Sequence, residues 1–531
     1  MSRKTLLLSS FSGILLCLSF PKADISVAAF FAFLPLFYAI RGVSAKDGFK
    51  AGVVAGFVCN VGVLYWVAYV VVKYGYLPLY VGIAAMLAVA AILSVYTGLF
   101  AGGLAFLSKK GVSIALAAPL LWVCVEFGRS HLLTGFPWEN LGYSQHRNLL
   151  LLQISDVTGV YGISFLVVFV NAVLYDLLNL KEKKKAVVIA EAATAVVTLG
   201  LILSYGYYKT EKVRADLEKA PGGEVMVVQG NIDQSIKWDP AYQRETIDIY
   251  RKLTLEGRPS EGELIVWPET ATPFYFQDRD DYHWEVADIA RLSGSYLLFG
   301  SPSYLVEGGR QHVLNSAFLL SPLGTVAGRY DKVHLVPFGE YVPLRSLIPF
   351  MGRIIVGMED MLPGKGFHLL QMDAEKVGTL ICYEAIFPEI AAEYRRLGVR
   401  LFVNITNDAW FGRTAAPHQH LSMVKLRAVE NRAYIVRAAN TGISAVIAPT
   451  GEVVARTGLF ERTVLKGKVK WTDGMTFYSR FGDVFAYGCF AATAILFLRP
   501  IVRRKKNDRR NNGNPAGPEE KNGRTGRLSL N

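Results

Sequence analysis

Long apolar stretches occupy both ends of this 531-residue chain, and a polar block separates them. Hydrophobic residues make up 52% of the chain, and nearly all of that excess lies before residue 208 and after residue 481. A membrane-crossing helix needs about 20 mainly apolar residues, and eight segments come near that length. These segments are residues 5–20, 25–40, 51–72, 79–107, 112–127, 162–180, 186–207 and 481–498. The pattern predicts a polytopic membrane protein with about eight spans.

The basic residues predict how these spans are oriented. Lysine and arginine cluster before the first segment and after the second, fourth, sixth and eighth. If all eight segments cross, every cluster falls on one side, which the positive-inside rule assigns to the cytoplasm. Both termini are then expected in the cytoplasm and the polar block outside it. Because topology accounts for the net charge of +13, nucleic-acid binding is not expected.

The first two segments are short and allow a second interpretation, a signal peptide followed by one span. Ser19-Phe20-Pro21 makes a poor cleavage site, and the following residues have the composition of a tight turn between two spans. We therefore favour two spans.

The polar block has the alternation of an α/β domain. Short apolar runs at 224–229, 264–267, 296–299, 377–381 and 401–404 alternate with helix-forming stretches at 242–256, 284–293, 387–397 and 418–432. Runs that are apolar on successive positions indicate strands covered on both faces. The expected organisation is a membrane domain of seven helices (1–208), a catalytic α/β domain (222–475), an eighth span (481–499) and a basic disordered tail (500–531).

One cysteine stands at the end of a predicted strand, where a reactive group would be well placed. Cys382 is the only cysteine between Cys124 and Cys489, and Glu269 and Lys332 follow other strands. A nucleophilic thiol needs a base to take its proton and a cation to stabilise the oxyanion that forms. The alternative is a buried cysteine that behaves as a small hydrophobe.

Metal and disulfide sites are not expected. The five cysteines show no C-x-x-C spacing, which argues against a zinc ribbon and a disulfide scaffold. His418 and His420 stand two apart in a predicted helix, so their side chains would diverge and could not share a metal.

Three local motifs carry a resemblance to a known family. Trp267-Pro268-Glu269, Tyr330-Asp331-Lys332 and Cys382-Tyr383-Glu384 occur in this order, and the chain thus resembles the nitrilase superfamily of carbon–nitrogen hydrolases. Their position between membrane segments, together with the stretch 334–343, is similar to the membrane-embedded N-acyltransferases of lipoproteins within that superfamily. The resemblance implies an αββα sandwich outside the cytoplasm.

The resemblance also implies a role for each candidate residue. Cys382 would be the nucleophile, Glu269 the general base and Lys332 the stabiliser of the tetrahedral oxyanion. Glu340 would orient Lys332 or the incoming amine. The remaining candidates would shape the pocket behind the nucleophile (Tyr383 and Glu384) or line its entrance (Trp238 and Trp410).

The reaction implied is an acyl transfer at a bacterial inner membrane, without cofactor or metal. An acyl chain would pass from the sn-1 position of a phospholipid, with phosphatidylethanolamine the expected donor, to Cys382 as a thioester. The α-amino group of a diacylglyceryl-cysteine at the N-terminus of an apolipoprotein would then accept it. The first alternative is a membrane-tethered amidase that hydrolyses a small amide, and the second is a transporter or scaffold whose outer domain only binds.

The location of each of three apolar stretches has two possible interpretations. Residues 274–276 and the stretch containing Leu347, Ile348 and Phe350 are either core or membrane contacts that guide acyl chains to Cys382. The stretch 135–138, which ends in Trp138, is either an anchor at the membrane surface or a contact for lipid or substrate.

Overall fold

A computed structural model describes residues 1–343 and 360–512 of the chain. Most of its helices form one helical part. In the sequence, the segments of this part come before and after a two-sheet sandwich. The helices of this part are α1 (Arg3–Leu18), α2 (Leu34–Ala39), α3 (Ala45–Val63), α4 (Trp66–Lys73), α5 (Leu79–Lys109), α6 (Ile114–His131), α7 (Leu149–Leu152), α8 (Ser155–Thr158), α9 (Val160–Leu178), α10 (Lys185–Lys219), α15 (Phe477–Phe481) and α16 (Val484–Asn512).

Three helices in the described ranges are long and apolar enough to cross a membrane, namely α5, α9 and α10. Helices α3 and α4 add a fourth candidate if they form one span, although they meet at a bend of 52°. The predicted second segment is instead a short 3-10 helix followed by the six-residue α2, which has Pro35 in its first turn. The count of eight spans therefore stays a prediction.

The strands of the polar block form two six-stranded sheets. They are β1 (Gly222–Gln229), β2 (Leu264–Val266), β3 (Tyr296–Glu307), β4 (Arg310–Leu320), β5 (Val326–Asp331), β6 (Leu370–Met372), β7 (Glu375–Ile381), β8 (Leu401–Thr406), β9 (Tyr434–Ala439), β10 (Ala445–Ile447), β11 (Val453–Arg456) and β12 (Thr463–Lys470). The first sheet has the order β12-β1-β2-β3-β4-β5, and the second has the order β11-β10-β9-β8-β7-β6. The central strands β1-β2-β3 and β7-β8-β9 run parallel.

The remaining helices cover the sheets and match the sequence prediction closely. They are α11 (Gln243–Glu256), α12 (Asp281–Ser293), α13 (Pro388–Arg396) and α14 (Ala416–Asn431), and every boundary lies within three residues of the expected one. Alternate residues of the first sheet separate into two cores, because strand side chains point to opposite faces. One core packs under α11 and α12, and the other continues from between the sheets into the helical part. The αββα prediction is confirmed.

Helix α14 joins the sandwich to the helical part. Every residue of it except His418 is buried, although half of its residues are polar or charged. The Gln419 side chain shows why this is tolerated. Its amide oxygen accepts from the indoles of Trp66 and Trp138 at 3.1 and 2.9 Å, and its amide nitrogen donates to the carbonyls of Pro21 and Val63 at 3.0 and 3.1 Å. All hydrogen-bonding groups of a buried amide are thus satisfied.

The structure bears on two of the three apolar stretches. Trp138 is 4% exposed and hydrogen-bonded to α14, so the interpretation as an anchor at the membrane surface is wrong. Phe274 and Phe276 are buried in the core beneath α12, which confirms the core interpretation for them. The stretch with Leu347, Ile348 and Phe350 lies outside the described residues.

Candidate active site

The predicted nucleophile begins a sharp turn directly after strand β7. Cys382 is the first residue of a 3-10 helix that runs to Ile386, and its φ is +52°. This left-handed conformation is uncommon for a residue with a side chain and is found at functional sites where surrounding contacts enforce it. The strand therefore ends by turning the backbone so that the thiol meets groups from neighbouring strand ends.

The surroundings of Cys382 favour its thiol over its thiolate. Burial raises the pKa of the Cys382 thiol above its ordinary value, the charge of Glu269 raises this pKa further, and the charge of Lys332 opposes the rise. A thiol in this environment reacts only when a base removes its proton as the bond forms. The same three residues that were predicted from separate motifs thus act on one another electrostatically.

The carboxylate of Glu269 is held on both of its oxygens. Asn315, on β4, donates from its amide nitrogen to Oε1 at 2.8 Å, and the backbone N–H of Asn407, just after β8, donates to Oε2 at 2.9 Å. Glu269 is only 6% exposed, so these two bonds fix its orientation in a site shielded from water. The remaining lone pairs are available to accept a proton.

Lys332 lies between two carboxylates. Its Nζ is 2.8 Å from Oε1 of Glu340 and 3.7 Å from Oε1 of Glu269, and the residue is 1% exposed. Burial alone would lower the pKa of Lys332, but Glu340 and Glu269 raise it above its ordinary value. The lysine therefore stays charged. Of the two roles expected for Glu340, the contact with Lys332 is the one that the geometry favours.

Glu384 ties the nucleophile turn to the loop that carries the lysine. One oxygen accepts from the hydroxyl of Tyr330 and the backbone N–H groups of Val333 and His334, and the other accepts from the N–H of Ile381 at 2.7 Å. Burial raises the pKa of Glu384 to about 7, although these hydrogen bonds oppose the rise. The residue is fully buried and acts on the backbone around the site.

Tyr383 faces the helical part. Its hydroxyl donates to the carbonyl of Gly135 at 3.3 Å, and its ring packs on Phe387 with 5.0 Å between centroids. The ring of His334 lies 3.9 Å from that of Phe387 and 5.8 Å from that of Tyr383. Burial, followed by the charge of Lys332, lowers the pKa of His334 to about 4. The imidazole of His334, beside the site, is therefore neutral.

The two candidate tryptophans differ in their surroundings. Trp410 is half-buried, and its ring lies 4.9 Å from that of Tyr74, whose hydroxyl donates to the carbonyl of Ala409. Trp238 is 49% exposed. A role for either at the entrance stays a prediction.

Two buried residues of the site were not singled out from the sequence. Asn315 donates from one amide nitrogen to both Glu269 and Glu340, each at 2.8 Å. Lys237 is 1% exposed, and its Nζ donates to the backbone carbonyl of Glu269 at 3.3 Å. The available signals were an asparagine inside the apolar run of β4 and a lysine beside Trp238. Among the described residues, no three His, Cys, Asp or Glu side chains are grouped so that they could hold a metal ion.

Comparison with known proteins identifies the family of the chain. The family model described as carbon-nitrogen hydrolase matches residues 224–473, and the model described as apolipoprotein N-acyltransferase N-terminal domain matches residues 12–173. A relative from Geobacter metallireducens named apolipoprotein N-acyltransferase is 43% identical over 500 residues, which is 93% of this chain and 95% of the relative. The chain belongs to the apolipoprotein N-acyltransferase family.

A further relative and a solved structure are also similar to parts of this chain. An apolipoprotein N-acyltransferase from Pasteurella multocida is 32% identical over 94% of this chain and 96% of its own length. The crystal structure of Saccharomyces cerevisiae Nit3, a member of the nitrilase superfamily, covers 47% of this chain and 90% of its own at 18% identity and a TM-score of 0.37. As a member of the apolipoprotein N-acyltransferase family, the chain is an acyltransferase, and the resemblance drawn from its motifs is confirmed.

Proposed function

We propose that this acyltransferase takes an acyl chain from the sn-1 position of a phospholipid and transfers it, through a thioester on Cys382, to the α-amino group of an apolipoprotein. The observation that carries the proposal is the buried group of charges around the thiol. Glu269 is held with free lone pairs, Lys332 is held charged, and both act on Cys382.

In the first half-reaction, Glu269 accepts the proton of the thiol as its sulfur attacks the ester carbonyl. The tetrahedral oxyanion forms in the field of Lys332, which stays charged because of its two carboxylate neighbours. The C–O bond then breaks, the lysophospholipid alkoxide takes the proton from Glu269, and the acyl group remains on sulfur.

In the second half-reaction, the α-amino group of the diacylglyceryl-cysteine attacks the thioester. Glu269 accepts the proton of the amine, the C–S bond breaks, and the thiolate regains a proton from Glu269. An amide has formed and the thiol is restored. Because a covalent intermediate separates two substrates, ping-pong kinetics are expected.

We place the sandwich on the outer side of a bacterial inner membrane, with both termini in the cytoplasm. The distribution of basic residues supports this orientation, and the helices α5, α9 and α10 supply the length and apolarity that a span requires. Both substrates are then within the membrane beside the site. Phosphatidylethanolamine is the donor that we expect.

Mass spectrometry of the intact protein and its Cys382 peptide tests the first half-reaction. Incubation with a defined phospholipid should add one acyl mass at Cys382, and hydroxylamine should remove it. The Cys382→Ala variant should add none, while the other four cysteines stay unmodified. Failure of the wild-type protein to acquire acyl mass at Cys382 would refute the thioester.

Adding a synthetic lipopeptide with a free diacylglyceryl-cysteine tests the second half-reaction. The label of a radioactive sn-1 acyl chain should move to the amine of the lipopeptide as an amide. Release of the label as free fatty acid in the presence of lipopeptide would instead support the hydrolase interpretation.

A further inference from the structure

The backbone of Cys382 is held by a side chain that the mechanism above does not use. Residue His420, on α14, has its Nε2 3.2 Å from the carbonyl oxygen of Cys382. A carbonyl oxygen only accepts, so Nε2 must carry the hydrogen in this bond. The imidazole therefore donates to the peptide group at the one position where the turn has a φ of +52°.

The other nitrogen of the His420 ring is fixed by two buried charges. Nδ1 lies 3.2 Å from Oδ1 of Asp408 and 3.2 Å from a guanidinium nitrogen of Arg437. Arg437 also binds the second oxygen of Asp408 at 2.6 Å, and all three side chains are at most 1% exposed. Since Nε2 carries the hydrogen, Nδ1 of a neutral ring has a lone pair and accepts from Arg437.

The protonation states of this group favour the neutral ring. Burial, followed by the charge of Arg437, lowers the pKa of His420. Burial would raise the pKa of Asp408, but Arg437 and His420 hold it at about 2. The arrangement is thus a carboxylate paired with a guanidinium, with a neutral imidazole whose tautomer is set by its neighbours.

The position of His420 is itself set by the helical part of the protein. The preceding residue, Gln419, is the amide that bonds the indoles of Trp66 and Trp138 and the carbonyls of Pro21 and Val63. A helix with its register fixed in this way cannot slide or rotate without breaking those bonds. The donor toward Cys382 is therefore held from outside the sandwich.

We infer that His420 is a positioning residue for the nucleophile: it donates from Nε2 to the Cys382 carbonyl and stabilises the left-handed turn that aims the thiol at the acyl donor. The inference rests on the proposed function, since it assumes that Cys382 is acylated. It assigns His420 no contact with the substrate. Its loss should slow acylation without weakening the binding of the donor.

The test compares His420→Gln with His420→Leu in full-length protein in lipid vesicles. The amide nitrogen of glutamine can reach the place of Nε2 and donate, whereas leucine cannot donate. We expect His420→Leu to lower the rate constant for acylation of Cys382 by about 10- to 100-fold at an unchanged KM for phospholipid, as displacements near 1 Å do. His420→Gln should recover most of that loss.

His418 provides the matched control, because it lies on the same helix and is the one residue of α14 that is not buried. His418→Leu should acylate at the wild-type rate. Thermal unfolding of each variant shows whether it is folded at the assay temperature. If His420→Leu unfolds, the comparison of His420→Gln with His420→Asn, whose shorter side chain cannot reach the carbonyl, replaces it.

Two outcomes would overturn the inference, namely a folded His420→Leu protein with the wild-type acylation rate, or equal losses in the glutamine and non-donating variants. Failure of the proposed function is a separate result, because the wild-type protein itself would then carry no acyl group on Cys382.

Discussion

Asn315 serves two carboxylates with one amide group, so its replacement by aspartate tests the charge balance of the site. Asn315→Asp removes the hydrogen bonds to Glu269 and Glu340 and places a third carboxylate around Lys332. We expect acylation of Cys382 to slow by about 100-fold, because Glu269 would be repelled from its position. Mass spectrometry of the Cys382 peptide, in samples quenched at successive times, measures this rate.

The matched control for that substitution is Asn148→Asp. Asn148 is exposed and caps α7, where aspartate accepts the same hydrogen bond equally well. An Asn315→Asp protein that acylates as fast as this control would show that the shared amide is not required.

Lys237 makes the stability of the protein depend on pH. Burial lowers the pKa of Lys237 from its ordinary value of 10.5 to about 8, although Glu269 opposes this. Below pH 8 the folded and unfolded states both carry the proton, so the folded state bears the full free-energy cost of burying the charged ammonium group. Between pH 8 and 10.5 only the unfolded state keeps the proton, so the free energy of unfolding rises with pH.

Lys237→Met should therefore stabilise the protein at pH 7 by on the order of 3 kcal/mol, a gain that shrinks toward pH 10.5. Thermal unfolding at pH 7 and pH 9.5 measures both values. Lys468→Met is the control, because that side chain is 82% exposed and should give the same small change at each pH. If the gain in the free energy of unfolding for Lys237→Met does not diminish with rising pH, the lowered pKa of Lys237 is contradicted.

At the scale of elements, strand β3 approaches the backbone of Glu269 and Thr270 so closely that only glycine fits. A Cβ on Gly300 would lie 2.4 Å from the backbone nitrogen of Thr270 and 2.6 Å from the Cα of Glu269. Gly300→Ala must therefore displace the segment that carries Glu269. We expect at least a 10-fold slower acylation, measured by the same peptide assay.

Gly200→Ala, in α10, is the control for Gly300→Ala because a Cβ there meets nothing within 4 Å. It should leave the rate unchanged. Equal rates for the two alanine variants would mean that the segment relaxes without moving the carboxylate.

Helix α14 should contribute much of the attachment between the sandwich and the helical part. Gln419→Leu leaves two indole N–H groups and two carbonyls without their partner, and each buried unsatisfied group costs about 1–3 kcal/mol. We expect a clear drop in the thermal unfolding temperature in detergent. Gln311→Leu, at an exposed position of β4, should not change it.

The sequence predicted some elements well and others poorly for physical reasons. The helices α11 to α14 have local signals in their periodicity and flanking residues, and their bounds were predicted within three residues. The burial of α14 had no local signal, because its polar groups are satisfied by residues hundreds of positions away. Trp138 was misassigned for the same reason, since its partner is Gln419.

The candidate site shows the same division. Glu269, Lys332 and Cys382 follow strand ends in short motifs, so the sequence could nominate them. Asn315 and Lys237 act through contacts across the sheet and between loops, and Gly300 acts by being small. None of these three has a motif, because their importance arises only when the strands are assembled.

At the scale of the whole molecule, α10 connects the proposed membrane region to the sandwich. It has 35 residues and so is about 52 Å long, whereas the hydrocarbon layer is about 30 Å thick. Under the proposed topology the helix projects well beyond the bilayer, so the height of the site above the lipid depends on how deeply α10 is embedded.

The rate of acylation should therefore depend on bilayer thickness. With one labelled donor in vesicles of increasing host-lipid chain length, we expect a maximum at one thickness and a decline on both sides, because mismatch displaces the embedded helices. An acylation rate that does not change with bilayer thickness would contradict a fixed height of the site above the lipid.

Only Ala220 and Pro221 separate the end of α10 from the first residue of β1. With so short a junction, the sandwich cannot swing out to collect its substrates, and each lipid must arrive by lateral diffusion. Encounters then occur in two dimensions. Turnover at a fixed total amount of donor should fall when inert lipid dilutes the surface, even though the bulk concentration is unchanged.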